Sequence, residues 1–580
     1  MKRYILIVLI LVGLISCKKA TSYLDQQNAG QDATVVFSDS VRTLGFLNGI
    51  YQGRGFSFNK GRWDSHGNLE EATDDAEYRY SGSGQYAVIL YSGNVNPLNV
   101  VKGTTTDFYV QPYLQIRAVN LFLSKLPTTP LAPVTQKRVA AEARFLRAWY
   151  YHYLVKSFGG IALLGDRLFD KDDIIDIPRN TYEDCINYIV SECDAAAASL
   201  PLDQLDQDYG RITKGMCLAL KSRVLLSAAS PLFNGGGIVK TGAIASIIAY
   251  PTYDAARWAK AAQAAKDVID MNKYDLVVDN TTAPGFGFYK TFISRANSEL
   301  IFTFTQGPNK DFEGHFLPPS RSGGFYSTPT QNLVDQFDMR NGKQITDPAS
   351  GYNAANPYVN RDPRFGYTVI YNGSLYANNS GAQAPVFTYV NAPSDGNGIG
   401  TTSGYYGRKM CDVNVSWGGS ATADRGYPLM RYAEILLNYA EALNELGQTS
   451  NALTYIFKIR ERAGILPGAD ARFGIKTDIS QSELRDLIIK ERRTEMAFED
   501  MRFYDERRWK IAEVTENAFN KVMLITPKSG TTSTSTDGTS YNYQIANSIR
   551  RHNFRAANYL LPIPQSEILK LPSYLQNPGY

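Results

Sequence analysis

The sequence of 580 residues is poor in the residue types that most often bind metals or carry catalysis, with only four histidines and five cysteines. The histidines are scattered, and neither H-E-x-x-H nor C-x-x-C occurs, so the sequence predicts no zinc site and no redox pair. The patterns G-x-x-x-x-G-K-[ST] and G-x-S-x-G are missing, and no G-x-G-x-x-G stands between a strand and a helix. We therefore expect no catalytic constellation, no metal and no cofactor.

An excess of one charge is also missing. Lysine and arginine total 60 against 56 aspartates and glutamates, so no strong field favours nucleic acid or an acidic surface as a partner. Aromatic residues are plentiful instead, with 38 tyrosines and 27 phenylalanines beside 5 tryptophans. Many tyrosines must be partly exposed, which suits stacking on flat ligands and suits helix packing equally well.

The first residues predict export. Lys2 and Arg3 precede an apolar run over 4–15 that is too short to span a bilayer. Leu14-Ile15-Ser16-Cys17 has the form of a bacterial lipobox, in which the cysteine is acylated. We interpret 1–16 as a lipoprotein signal peptide, Cys17 as the lipidation site and 17–34 as a tether. The alternative is a plain secretory peptide that happens to contain a cysteine.

The remaining cysteines do not indicate a disulfide framework. Cys185 and Cys193 fall on one predicted helix, where eight residues separate them by about 12 Å, too far for a disulfide. We expect these two, Cys217 and Cys411 to be buried free thiols.

Residues 427–465 predict two antiparallel helices. Apolar residues spaced by three and four give the first helix two buried strips, with Pro428 in its first turn and Gly447 at its end. Ser450 or Asn451 can cap the second helix. The pair is close to one tetratricopeptide unit of about 34 residues, a unit that stacks into helical scaffolds. An ordinary helical hairpin is the alternative.

The rest of the chain fits such a scaffold and adds a different region to it. Helical periodicity predicts further helices at 40–51, 107–126, 135–158, 181–200, 213–233 and 254–271. From 272 to 426 only short strands such as 300–304 and 367–371 interrupt loops rich in Gly, Asn, Ser and Pro. The predicted fold is mainly α, a tetratricopeptide-like hairpin scaffold with a loop-rich lobe containing small β-strands. The predicted regions are an N-terminal helical region 35–271, a ligand-binding lobe 272–426 and a C-terminal helical region 427–580.

Two charged segments invite functional interpretations. The acidic stretch with Glu70 and Asp74 could supply an acid/base pair for glycoside cleavage, but we favour a solvated acidic turn. Residues 491–509 carry interleaved Glu and Arg on a predicted helix. The acids would repel phosphate, so we interpret this segment as Arg–Glu contacts that tie helices together rather than as a nucleic-acid face.

Several segments in order resemble the SusD/RagB family of nutrient-binding outer-membrane lipoproteins. They are EARFLRAWYYHYLVKSFGG (142–160), TPTQNLVDQFDMRNGK (328–343), RDPRF (361–365), YPLMRYAEILLNYAEAL (427–443), IIKERRTEMAFEDMRFYDERRW (488–509), PIPQSEI and the terminal QNPGY. The resemblance implies a non-enzymatic outer-membrane lipoprotein that binds glycans, and we expect it to be exposed at the cell surface. The resemblance also implies a partner, a SusC-like TonB-dependent transporter over whose mouth the lipoprotein sits as a lid.

The resemblance leaves the ligand class open. A peptide-uptake lipoprotein of the same fold is the first alternative, and a lipid-anchored glycoside hydrolase is the second.

Sugar-binding sites place aromatic rings and polar groups on loops. Two stretches qualify, one following Thr73-Asp74 as in the family's starch-binding members and one following the strand at 300–304. The predicted ligand-binding residues are Tyr78, Tyr80, Phe312, Phe325 and Tyr326. Residues that could replace some of them are Tyr86, Tyr91, Tyr405, Tyr406 and Trp417. The alternative is that these rings merely pack the lobe.

Overall fold

The computed structural model describes residues 33–58, 67–80, 82, 84–101, 108–170, 173, 175–204 and 206–580. The predicted signal peptide, Cys17 and the tether as far as residue 32 lie outside these described residues. Within them, no helix is both long enough and apolar enough to cross a bilayer.

The described chain is mainly helical, as predicted. The helices before the lobe are α1 (Ala33–Phe37), α2 (Ser40–Gln52), α3 (Tyr86–Tyr91), α4 (Val110–Lys125), α5 (Pro133–Phe158), α6 (Tyr182–Ala197), α7 (Lys214–Ala229), α8 (Ala243–Ile248) and α9 (Ala256–Ile269). Those of the lobe are α10 (Phe286–Ile293), α11 (Asp311–Phe316), α12 (Gln331–Val334) and α13 (Pro363–Thr368). Those after it are α14 (Tyr432–Glu445), α15 (Thr449–Arg462), α16 (Gln481–Glu495), α17 (Arg502–Arg508), α18 (Ala512–Thr515) and α19 (Gln565–Lys570).

The strands of the described chain pair only in twos, each pair antiparallel. They are β1 (Ala76–Tyr78) with β3 (Ser327–Pro329), β2 (Leu300–Thr305) with β8 (Gly426–Arg431), β4 (Val369–Ile370) with β7 (Tyr406–Gly407), β5 (Ser374–Ala377) with β6 (Gln383–Val386), and β9 (Phe519–Pro527) with β10 (Tyr541–Arg551). The lobe therefore contains small sheets, and its short helices α10–α13 add to what the sequence predicted.

The long helices pack as one continuous array of neighbours. Helix α5 lies between α4 and α6, α6 packs on α7, and α7 packs on α9. Helix α9 then contacts α14, which also packs on α15 and α16. Hairpins on either side of the 272–426 insert thus stack in space, because α9 and α14 bury their apolar faces against each other through Trp258 and Ala442.

The central hairpin begins later than predicted. Tyr427 and Pro428 belong to β8, and the helix starts only at Tyr432. Pairing with β2 prevails over the suitability of proline for a first helical turn, and the Tyr432 N–H donates to the Glu299 carbonyl at 2.8 Å. The second helix starts at Thr449, so Ser450 and Asn451 lie inside its first turn and do not cap it.

Other boundaries also differ from the prediction. Helix α5 begins at Pro133, so Thr135 lies within its first turn. The predicted strand 367–371 shrinks to β4, because the Asp362 side chain accepts from the Arg364 N–H and caps α13. Residues 491–509 form two helices, because Phe498 and Asp500 adopt positive φ (60° each) between α16 and α17. The four cysteines are buried free thiols, as expected.

A buried cluster of charges joins the lobe to the scaffold. Arg431, at the end of β8, donates to Glu299 at 2.7 Å, to Glu495 at 2.7 Å and to Glu499 at 2.8 Å, and all four side chains are almost inaccessible. Arg462 at the end of α15 also pairs with Glu299 and Glu495. The predicted Arg–Glu contacts between helices are therefore confirmed.

Glu495 is the common member of these contacts, because Arg364 of α13 reaches it as well, at 2.9 Å. Burial by itself raises the pKa of the Glu495 carboxyl, but Arg462, Arg431 and Arg364 outweigh that effect and hold the pKa far below its usual range. Glu495 is thus a buried anion that stays charged because three guanidinium groups surround it.

We expect Glu495→Gln to lower the free energy of unfolding by about 3–5 kcal/mol, because it leaves buried guanidinium groups without their counter-charge. The control is Glu445→Gln, which removes a surface pair with Arg485 (2.5 Å) and should cost less than about 1 kcal/mol. Urea unfolding followed by circular dichroism measures both, and similar losses in the two variants would contradict the role assigned to Glu495.

Candidate functional site

The acidic segment after residue 69 is buried, so the prediction of a solvated acidic turn is wrong. Glu70, Glu71, Asp74, Asp75 and Glu77 are each at most 5% exposed. The arginines that pair with Asp74 and Asp75 lie more than 400 residues away in the sequence, where no local pattern could reveal them. We describe these partners next.

Arginines from α16 and α17 neutralise this segment. Arg493 pairs with Asp75 at 2.6 Å and with Asp74 at 3.0 Å, and Arg502 pairs with Asp74 at 2.9 Å. The Asp500 N–H donates to Glu70 Oε1 at 2.7 Å. The acids therefore fix the segment to the C-terminal helices, and this arrangement provides a rigid base for the strand that follows.

That strand, β1, carries the first predicted ligand residues outward. It pairs with β3 from Ala76 to Tyr78, and the ladder continues with the Arg79 N–H donating to the Tyr326 carbonyl at 2.9 Å. Arg550 of β10 donates to the carbonyls of Tyr78 and Arg79. The two predicted stretches, far apart in the sequence, are therefore neighbours in the structure.

Tyr80 and Tyr326 come together at the open end of this ladder. Their ring centroids are 5.9 Å apart, and Tyr80 is 40% exposed. Tyr326 is half-buried and stacks on His315 with centroids 5.6 Å apart. Gly324 is required here because a Cβ at that position would overlap the Tyr326 ring. We call Tyr80 and Tyr326 the tyrosine pair.

The other three predicted residues are buried and do not offer a ring face to a ligand. Tyr78 packs against Ala87 and Val88. Phe312 packs edge-to-face on Tyr427 with centroids 4.6 Å apart. Phe325 is 7% exposed and contacts the Tyr406 ring edge-to-face. Packing thus explains these rings, and Tyr80 differs from Tyr78 because it lies beyond the end of β1, where fewer neighbours cover it.

The residues named as replacements are mostly buried as well. Tyr86, Tyr91, Tyr405 and Tyr406 are all at most 7% exposed. Trp417 alone among the five is half-buried, with Lys310 Nζ 5.6 Å from its ring centroid.

Sequence reasoning missed Arg79, which lies between the two predicted tyrosines. Its guanidinium carbon lies 4.0 Å from the Phe325 centroid and 5.2 Å from the Tyr80 centroid. Phe325 adopts φ of 38°, a conformation that costs a bulky residue about 1–3 kcal/mol. The sequence carries a usable signal for it, a basic residue with an aromatic residue on each side.

Three buried carboxyl groups beneath the site lie close enough to share a cation. Asp74, Glu506 and Glu516 each bring one oxygen within 4.8 Å of the others. Guanidinium groups already occupy the space around them, with Arg502 on Asp74 at 2.9 Å and Arg507 on Glu506 at 3.2 Å. The three carboxyl groups therefore belong to a cluster of buried ion pairs, and some of them stay protonated.

Retained protons follow from the electrostatics of this cluster. Burial, and then the charge of Asp74, raises the pKa of Glu516 to about 8. Burial, and then the charge of Glu516, raises the pKa of Glu506 well above its ordinary value. Glu516 Oε2 also lies 2.9 Å from His552 Nδ1. Near neutral pH Glu506 and Glu516 therefore stay protonated, because two neighbouring carboxylates would repel each other.

Two protein-family models match the chain. The model described as "SusD family" matches residues 288–580, and the model described as "Starch-binding associating with outer membrane" matches residues 23–226.

Similar proteins span nearly the whole chain. A SusD-like protein of Formosa agariphila is 25% identical over 490 residues, covering 82% of this chain and 81% of the relative. A SusD-like protein structure from Bacteroides fragilis superposes with a TM-score of 0.73 at 25% identity, covering 94% of this chain and 98% of the other. A second B. fragilis structure, of a SusD-like carbohydrate-binding protein, gives a TM-score of 0.71 at 22% identity, covering 93% and 99%.

We expect the buried cluster to make the free energy of unfolding fall as the pH rises from about 5 to about 8. A carboxyl whose pKa is raised on folding stabilises the protein below its unfolded-state pKa, and that contribution is lost as the pH rises through the folded-state value. Glu516 keeps its proton in the folded state up to about pH 8, whereas the unfolded chain loses it near the ordinary value of 4.5. The free energy of unfolding therefore falls by on the order of 3–5 kcal/mol between about pH 5 and 8.

Glu516→Gln keeps the shape of the protonated carboxyl and should make the fall in melting temperature from pH 6 to pH 9 shallower than in the parent. The matched control is Glu513→Gln, an exposed position three residues away, which should follow the parent curve. Parallel curves for the parent and Glu516→Gln would show that the carboxyl is not a proton store.

Proposed function

Because the chain belongs to the SusD family, we propose that it is an outer-membrane lipoprotein that binds glycans and delivers them to a SusC-like TonB-dependent transporter without cleaving them. The lipid at Cys17 anchors it to the outer membrane at the cell surface. The observation that carries the glycan assignment is the tyrosine pair, held at the surface of a rigid support.

The geometry of the pair suits a sugar. A pyranose ring presents a flat C–H face, and an exposed tyrosine ring covers such a face while its hydroxyl binds water or ligand hydroxyl groups. The β1–β3 ladder, Arg550 and the buried acidic segment hold Tyr80 and Tyr326 before the ligand arrives, so little ordering entropy is lost on binding. The name of the carbohydrate-binding relative supports the same ligand class.

The acidic segment supports a binding role over a hydrolytic one. Glu70 and Asp74 are buried and already bonded to the Asp500 N–H and to arginines. A general acid or base must reach the scissile bond of its substrate. Asp74 acts instead as a counter-ion of two arginines inside the fold, and Glu70 accepts a backbone hydrogen bond.

The transporter role rests on the family and on the shape of the scaffold. A lid needs a broad contact that excludes water. We expect the stacked helices α4–α7, α9 and α14–α16 to supply this contact, while the tyrosine pair lies at the end of the β1–β3 ladder. A ligand held at the pair and a transporter held by the helical side do not compete for the same residues.

We expect Tyr80→Ala and Tyr326→Ala each to weaken glycan binding about ten- to hundredfold, because loss of one stacked ring costs about 1–3 kcal/mol. Calorimetry with a glycan that the parent binds measures the effect, beside a melting curve for each variant. Tyr253→Ala, at a tyrosine that is 64% exposed, is the matched control and should bind like the parent.

Unchanged affinity in both variants, with normal melting, would remove the tyrosine pair from the site. The same mixtures should show no new reducing ends. Turnover that disappears in Glu70→Gln or Asp74→Asn would favour the hydrolase instead.

We expect a mild-detergent pull-down from native membranes to recover a barrel protein of the TonB-dependent class together with the lipoprotein. Recovery of the lipoprotein alone from cells that also express the transporter would contradict the partnership.

We expect the Cys17→Ala variant to leave the membrane fraction or to remain unprocessed, because the acyl chains that anchor the protein are lost. Unchanged processing of Cys17→Ala would contradict the anchor.

A further inference from the structure

The outward surface of the acidic segment is basic. Among residues 67–80 the charged side chains are five acids and Arg79, and all five acids are buried. Arg79 is half-buried and is the one charged side chain of this range that reaches solvent. A ligand that approaches Tyr80 therefore meets a positive charge, although most charged residues of this stretch are acidic.

Arg79 has unused side-chain hydrogen-bond donors. A guanidinium group carries five N–H donors, and within the described residues Arg79 uses one side-chain donor, from Nη1 to the Gly324 carbonyl at 2.9 Å. None of the carboxylates in the described part of the chain lies within ion-pair distance of it. By contrast, the nearby Arg493 and Arg550 are committed to Asp75 and to backbone carbonyls.

The free donors are held in place. The guanidinium group lies over the Phe325 ring, with 4.0 Å between its carbon and the ring centroid, and the Gly324 bond fixes its rotation. A guanidinium group that stacks on a ring keeps the N–H donors along its edge, here called the fork, free to bind a ligand. The strained backbone at Phe325 places that ring under Arg79, so the fork is preorganised beside the exposed Tyr80 ring, 5.2 Å away.

We propose that Arg79 binds an oxyanion substituent of the ligand, so that the protein prefers anionic glycans, those bearing a carboxylate or a sulfate, over neutral ones. This inference rests on the proposed glycan-binding function. The sugar ring stacks on Tyr80 while two oxygens of its carboxylate or sulfate accept from two N–H donors of Arg79, a bidentate pairing that either oxyanion can make.

Matched ligand pairs test the inference on the unaltered protein. Calorimetry compares hexagalacturonate with its methyl ester, and sulfated with desulfated carrageenan oligosaccharides. The parent should bind the charged member of at least one pair about tenfold or more tightly, because a hydrogen-bonded charge pair contributes at this level. The pair that shows the preference distinguishes a carboxylate from a sulfate, and added salt should weaken only the charged member's binding.

Variants then assign the preference to one residue. Arg79→Gln should lose the preference while binding the neutral member within about twofold of the parent, and Arg79→Lys should retain part of it because the charge remains without the fork. Arg42→Gln, which removes a charge from an exposed position in α2, should behave like the parent. Melting curves confirm that each variant is folded.

Several results would overturn the inference. Equal affinity for the neutral and the charged member of both ligand pairs would overturn it. Equal effects of Arg79→Gln and Arg42→Gln on these affinities would overturn it as well. Arg79-dependent binding of pentaglutamate without binding of any oligosaccharide would assign the fork to acidic peptides. If the protein binds only neutral maltohexaose, and binds it through Tyr80, the proposed glycan-binding function stands but the oxyanion preference is wrong. If it binds no oligosaccharide, the glycan-binding function and the oxyanion preference are both contradicted.

Discussion

The buried contacts of Glu495 are the constraint on which the rest of the structure depends. A carboxylate taken out of water is tolerated only where guanidinium groups replace its hydration. Here those groups come from β8, α15 and α13, through Arg431, Arg462 and Arg364. Because each arginine belongs to a different element, the charge requirement fixes the lobe, the central hairpin and α16 relative to one another. Apolar packing alone is less directional and would allow these elements to slide.

Helix α16 transmits this order to the candidate site. Glu491 and Glu495 point into the central cluster, while Arg493 points the other way and pairs with Asp75. The segment before β1 is thereby attached to the same helix that fixes the lobe. The tyrosine pair and Arg79 can consequently hold a defined geometry on short loops, since their support is an extensive buried network and not the two-stranded ladder alone.

Charge has opposite roles on the two sides of this segment. Inside, an excess of carboxyl groups is tolerated because arginines and retained protons neutralise it, as at Glu516. Outside, one guanidinium group remains with unsatisfied donors beside an exposed ring. The same six charged residues thus provide both the rigidity of the support and the polarity of the surface, which is why composition is a poor guide to the ligand here.

The class of fold, most helix positions, the free buried thiols and the family follow from the amino-acid sequence alone. These properties depend on local periodicity, on turn residues and on motif order, which a single chain displays directly. The sequence also indicated Tyr80 and Tyr326, although mixed with Tyr78, Phe312 and Phe325, since exposure of an aromatic ring depends on which neighbours cover it. The tertiary structure decided that Pro428 lies in a strand, because β8 pairs with β2, a segment distant in the sequence. It also left Arg79 at the surface, over the Phe325 ring. It decided, too, that the acids of 70–77 are buried, because the arginines that pair with Asp74 and Asp75 come from elements more than 400 residues away, and a charge is stable inside a protein only where the fold brings its counter-charge to it.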